Sequence, residues 1–213
     1  MNMRTFLSLL AVGLLALPAS ASEVGLLLDQ QTGQSVDAPN LRTQINAVNP
    51  KGFGLRGALT LTNLEVAVLS IAATYHPKAQ SDLQITYEPW PLDPSKAGSE
   101  YLALGAQLDW QFLVNIHCGL DLRRETISNE VVTVLNQRDF IIQSAGETTF
   151  TRPWVSAGLG YTFAMPVVSP FIRLEAAWTL KNYSADGKGV NMDDVRRAMA
   201  PTSQIALYGG IRF

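Results

Sequence analysis

The chain has 213 residues, with 16 basic and 18 acidic side chains, a net charge of −2, 47% hydrophobic residues and one cysteine, Cys118. That balance carries no clustered basic surface for nucleic acid, and a lone cysteine cannot make an intramolecular disulfide. After the N-terminal stretch no segment offers about 18 uninterrupted apolar residues, because the nearest, 57–73, is broken by Asn63 and Glu65.

Residues 1–21 read as an export signal. Arg4 supplies the positive start, Phe6–Leu17 an apolar stretch of twelve, and Ala19-Ser20-Ala21 a small-residue cleavage site before Ser22. Twelve apolar residues fall short of the roughly 20 that a spanning helix needs. Cleavage is expected there, leaving 22–213 as one domain with 15 basic and 18 acidic side chains and no lipid-anchoring cysteine at its start.

Eight segments of that domain have strand character: Val24–Asp29, Gly52–Leu61, Glu65–Tyr75, Tyr101–Asp109, Phe112–Arg124, Thr149–Phe163, Phe171–Lys181 and Ser203–Phe213. Several alternate with a period of two, the pleat of a strand. In 171–181, Ile172, Leu174, Ala176, Trp178 and Leu180 face one way and Arg173, Glu175, Ala177, Thr179 and Lys181 the other. Long polar connections (30–51, 76–100, 125–148, 182–202) alternate with the short links 62–64, 110–111 and 164–170. This is the pattern of an eight-stranded antiparallel up-and-down transmembrane β-barrel, an all-β fold, with short periplasmic turns at one rim and long extracellular loops at the other. Asp82–Tyr87 and Val131–Leu135 also look like strand. They read as the barrel wall continuing past the membrane as hairpins, and a ten-stranded barrel is the competing reading.

Alternation alone does not say which face is inside, since a soluble lipocalin-like barrel has the same period with an apolar cavity. The polar face gathers Arg56, Asp109, Asp121, Arg123, Arg173, Glu175 and Arg212 together with Gly105, Gly119, Gly158, Gly160 and Gly210. Glycines opposite long charged side chains suit the narrow lumen of eight strands. Aromatics collect at strand ends, where a membrane boundary favours them. Trp110, Phe112, Tyr161, Phe163 and Phe213 fall at the short-turn rim, and Phe53, Tyr75, Tyr101, Phe150 and Trp178 toward the long-loop rim.

The last strand places Ile205, Leu207, Gly209, Ile211 and Phe213 on one face and stops on an aromatic. With the alternation and the loop pattern, it resembles the small outer-membrane β-barrel proteins of Gram-negative bacteria, the OmpA/OmpX-like or OmpW-like group. The resemblance covers nearly all of 22–213 and rests on architecture plus one short motif. It implies outer-membrane residence. It also implies an assembly signal ending in Ile211 and Phe213, read by the barrel-assembly machinery, although Ala206 and Tyr208 stand where that signal usually has a polar residue and a glycine. Periplasmic chaperones and outer-membrane lipids, lipopolysaccharide included, are the other implied partners. The group has no single activity.

Buried charges must be paired, so the inward set is expected to form a salt-bridged plug; a selective pore lining is the alternative. His117 shares the inward face with Asp121, which would orient it, but Asn115 and Gly119 flank it where a nucleophile would be needed. His76, before Pro77, is expected at a loop entrance. Cys118 falls on the lipid face as a small hydrophobe, and 191–200 is expected to give one or two helical turns in a loop cap. No catalytic residue, metal site or cofactor is assigned. The function expected is structural or interactive, through four long loops over a closed lumen. The alternative is a narrow channel for small or hydrophobic solutes, for which Pro153 is a candidate lateral break in the sixth strand. A lipid-modifying enzyme ranks below both.

Overall fold

A computed structural model describes residues 22–38, 43–45, 49–87, 90–91, 95–135, 141–184 and 192–213. The export signal lies outside the described residues. Twelve strands and one helix are described: β1 (Glu23–Thr32), β2 (Val36–Ala38), β3 (Thr43–Ile45), β4 (Lys51–Leu64), β5 (Ala67–Leu83), β6 (Ile85–Tyr87), β7 (Trp90–Pro91), β8 (Ser95–Trp110), β9 (Asn115–Leu135), β10 (Ile141–Thr162), β11 (Ser169–Thr179), α1 (Met192–Met199) and β12 (Ser203–Arg212). Eight of these strands close a barrel in the order β1-β12-β11-β10-β9-β8-β5-β4, and β2, β3, β6 and β7 form a separate small sheet.

Every pair in the barrel wall is antiparallel, and ten residue pairs between β1 and β12 seal the seam. Ser22 and Phe213 extend the seam by exchanging backbone hydrogen bonds of 2.9 and 3.0 Å. A closed wall leaves no edge of unpaired N–H and C=O groups, which the hydrocarbon of a bilayer would not satisfy.

The strands run farther than the sequence suggests. β5 continues to Leu83 and β8 begins at Ser95, so most of the expected loop 76–100 is wall. β9 and β10 extend to Leu135 and from Ile141, absorbing most of 125–148. Val131–Leu135 is therefore a continuation of the wall, and Ile85–Tyr87 leaves it for the small sheet; among the described residues the barrel closes at eight strands. At the other rim the turns shift: Leu64 pairs with Ala67, which makes Glu65-Val66 a tight two-residue turn with Glu65 at φ 48°. Phe112 belongs to the 111–114 turn, and β9 starts at Asn115.

The outer surface is apolar from strand to strand: Leu26 and Leu28, Leu104, Leu120 and Leu122, Leu159, Ile172 and Leu174, Ile205 and Leu207 are all exposed. The inner surface holds Glu23, Asp29, Arg56, Asp109, His117, Arg123, Arg152, Arg173 and Glu175, all buried. A soluble barrel has the reverse arrangement.

Candidate functional site

Inside the wall the side chains gather in two tiers. The tier near the short-turn rim is a charge network. Arg56 on β4 reaches Glu175 on β11 at 2.7 Å and Gln107 on β8 at 2.7 Å. Arg173 on β11 lies 3.1 Å from Glu175, 3.0 Å from Asp109 on β8 and 3.7 Å from Glu23 on β1. Arg212 on β12 closes the set at 2.9 Å from Glu23. Gln107 donates to the same Glu23 at 2.9 Å. Each carboxylate here meets two or more donors, as buried charges require. The guanidinium groups of Arg56 and Arg173 also lie 5.3 and 5.6 Å from the ring of buried Tyr208, which meets Phe171 edge to face.

His117 joins this tier through Asp109, with Nδ1 at 2.9 Å, and its Nε2 is 3.7 Å from Glu175. Asp109, rather than the expected Asp121, orients the ring. Ser156, opposite Gly119 on the adjacent β10, places its hydroxyl 3.5 Å from His117 Nε2. The sequence shows no serine near His117 because the partner comes from across the ladder. A Cβ on residue 119 would collide with that hydroxyl, so glycine is what lets Ser156 and His117 meet. A serine, a histidine and an aspartate in a row are the parts of an acyl-transfer triad. Of the three, Ser156 lines a cavity of about 20 Å³, together with Arg56, Thr74, Asp121 and Glu175, which has room for about one water. A second cavity of about 10 Å³ adjoins it along Gly105 and Gly119. Among the described residues Arg56 Nε has no hydrogen-bond partner beside this space. Ser156, His117 and Asp109 thus bridge β10, β9 and β8 beside a space of about one water.

The upper tier is built on amides and rings. Gln204 on β12 donates to Tyr101 on β8 at 2.9 Å and to Asp29 on β1, and accepts from Arg123 on β9 at 2.5 Å. His76 stacks on Tyr101 with ring centres 5.0 Å apart and bonds Asp29 at 2.8 Å. The Arg123 guanidinium lies 4.7 Å from the Tyr101 ring and 4.1 Å from Trp154. Glu125 accepts from Arg152, and from Trp154 at 2.6 Å. His76 is thus fully buried in the lumen, contrary to its expected place at a loop entrance. β5 passes Pro77 with a register shift between His76 and Ala79 and carries on, and Gly52 on β4 leaves space for the ring.

Of the seven charges picked out in the sequence, Arg56, Asp109, Arg173, Glu175 and Arg212 share the lower tier. Arg123 stands in the upper one. Asp121 lies between them, with Arg123 at 3.4 Å as its ion-pair partner. Glu23, Asp29, Gln107, Glu125, Arg152 and Gln204 went unrecognised. Glu23, Gln107 and Gln204 sit on the face that alternation turns inward, and a search for charges alone passes over the two amides.

Among the boundary aromatics, Trp110, Tyr161 and Trp178 point outward from strand ends, Tyr75 reaches Glu100 through its hydroxyl at 3.4 Å, and Phe112 and Phe163 sit at turns. Tyr101 and Phe150 instead turn inward and are buried. Their strands extend beyond the membrane level, so those positions are mid-strand and no longer at a rim. Ile211 and Phe213 lie on the outer face beside the seam. Cys118 is exposed on the same outer face. The ladder runs through Pro153, which pairs with Leu122 and accepts from Leu180 N at 2.9 Å, so β10 shows no lateral break there.

Above the upper tier α1 caps the mouth. Arg196 is buried and donates to Asn129 on β9 at 2.6 Å; Asp193 accepts from Thr148 on β10 at 2.8 Å. Ile127, Phe150 and Ala200 cluster beneath it, with Tyr183 packed alongside.

A closed wall with an apolar exterior and an ionised, hydrogen-bonded interior is the build of a transmembrane β-barrel. No family model matches the sequence, and no curated protein matches it. Among solved structures it is similar to the attachment invasion locus protein Ail of Yersinia pestis, at 11% identity over 91% of this chain and 98% of that one, with a TM-score of 0.48. It is also similar to a major outer membrane protein from Thermus thermophilus, at 10% identity over 91% and 99%, TM-score 0.49. A third is the translocator domain of the autotransporter NalP from Neisseria meningitidis, at 9% identity over 99% and 94%, TM-score 0.38.

Proposed function

We propose that this barrel works as a sealed membrane scaffold that carries an extracellular interaction surface, and that it does not conduct solutes along its axis. The observation that carries the proposal is the reach of the lumen bonds. Arg56–Glu175, Arg173–Asp109 and Arg123–Gln204 each join strands three steps apart around the wall, and Gln204–Tyr101 joins strands four steps apart, which is the full width of an eight-stranded ring. Crossing bonds at two levels, with cavities of about 20 and 10 Å³ between them, support a lumen closed to solutes. The material above the membrane supports the display role: the β9–β10 hairpin, the small sheet of β2, β3, β6 and β7, and the α1 cap. On this proposal the short turns are periplasmic, lipopolysaccharide surrounds the outer half, and chaperones and the assembly machinery deliver the chain by way of Ile211 and Phe213.

Planar-bilayer recording tests the closed lumen. The purified barrel is expected to give no stepwise current at any voltage, and Arg56→Ala with Arg123→Ala, which thins both tiers, to give small openings. Unitary steps from the unaltered protein would favour the channel reading.

A further inference from the structure

The rim with the short turns has an unusual surface. Its three turns, 65–66, 111–114 and 163–168, contain a single charge, Glu65. Leu64, Val66, Phe112, Leu113, Met165 and Val167 are all exposed there, with Leu113 at 85% and Val167 at 84%. A turn that meets water is ordinarily built from Gly, Asn, Asp and Ser, and exposed apolar residues clustered along one rim mark an interaction surface.

The occupant follows from length. On the outer face of β9 the first charge above the apolar band is Arg124, which is exposed. Below it the apolar stretch of the strand is Ile116–Leu122. Seven residues at roughly 3.3 Å each, tilted about 40°, cover about 18 Å, whereas a barrel's apolar band measures about 25 Å. The missing height is supplied if the Phe112–Val114 turn lies within the bilayer. On the paired β8 the outer face is apolar from Leu102 to Trp110, below Glu100, and on β4 it is apolar from Phe53 to Leu61, below Lys51, with Thr62, Asn63 and Glu65 as polar steps before Val66.

We infer that the three short turns are immersed in the acyl and ester region of the periplasmic leaflet, so that phospholipid, and not a soluble partner, covers this rim. All of the chain's surplus strand length then projects on the opposite side. The inference rests on membrane residence and is independent of whether the lumen conducts.

Site-directed spin labelling in dioleoyl phosphatidylcholine vesicles tests it, with the folded state verified by the shifted band of unheated samples on electrophoresis. The native chain is labelled at Cys118, on the outer face of β9. Leu113→Cys, Val167→Cys and Met165→Cys are each labelled in a Cys118→Ser background; because these side chains are exposed, at least one variant is expected to fold. Turn labels that collide more with oxygen than with a water-soluble nickel chelate, as the Cys118 label does, are the expected result. Turn labels open to nickel while the Cys118 label stays protected would overturn the inference and leave the barrel in its membrane. Nickel access at Cys118 itself would instead remove the membrane residence on which it stands.

Discussion

The two tiers of the lumen solve one problem in different ways. The lower tier sets three arginines against three carboxylates, and its ions are shared: Glu175 serves Arg56 and Arg173, while Glu23 serves Arg173 and Arg212. No pair can be lifted out without stranding a third charge. The upper tier uses local pairs, Glu125 with Arg152 and Asp29 with His76, tied by the amide of Gln204 and by ring stacking. Its members depend on one another less. The lower tier is therefore a single unit, whereas the upper tier is a set of separable contacts.

The largest expected effect follows directly. Arg173→Ala or Glu175→Ala should cost about 3–5 kcal/mol by leaving buried partners uncompensated, read as the urea midpoint for loss of the unheated electrophoretic band. Replacing both members at once distinguishes the tiers. Arg152→Met with Glu125→Leu removes both charges together and should cost about 1–3 kcal/mol, for the stranded Trp154 N–H and Pro201 carbonyl. Arg173→Met with Glu175→Leu should remain as damaging as either single change, because Arg56 and Asp109 lose partners. Equal costs for the two double variants would mean that the two tiers are coupled alike.

Each tier also places one histidine against a glycine. Gly52→Ala puts a methyl about 2.6 Å from the His76 ring, and Gly119→Ala drives Ser156 away from His117. Overpacking of this kind should cost about 1–3 kcal/mol, with Ser156→Ala restoring most of the loss in the second case only. The smallest effect belongs to the cap. The Thr148 hydroxyl, then Arg196, hold the Asp193 carboxyl below its ordinary range. A depressed value adds stability above the unfolded pKa of about 3.9, and that contribution fades as pH falls through the folded value. Hydrogen exchange at Met192–Met199, corrected for intrinsic rate, should therefore quicken as the pH falls below about 4. Asp193→Asn should flatten that response.

How much of this was legible in the sequence differs by feature. The period of two exposed the wall and its two faces, because a pleat writes itself locally. The alternation of long and short links exposed the up-and-down path. Strand ends were not legible: Pro77 looks like a stop, yet a bulge absorbs it, and polar stretches such as 125–130 look like loop although they are wall standing in water. The site was half legible. Alternation assigns a residue to the lumen, but the partner across it depends on shear between strands, which no local pattern records. Hence Ser156 went unconnected to His117, and the amides Gln107 and Gln204 went unnoticed beside the charges they bind.

The seam between β1 and β12 sets the order of events in folding. Arg212 and Glu23, joined across it, are 189 residues apart in the chain. Nothing can close until the last strand has been made, and contacts of such long range form slowly because the loop entropy comes due before they reward it. Until that moment the first strand has a bare edge and half its neighbours. The protein therefore has to be kept apart from its own copies throughout synthesis and delivery, and it becomes robust in one late step.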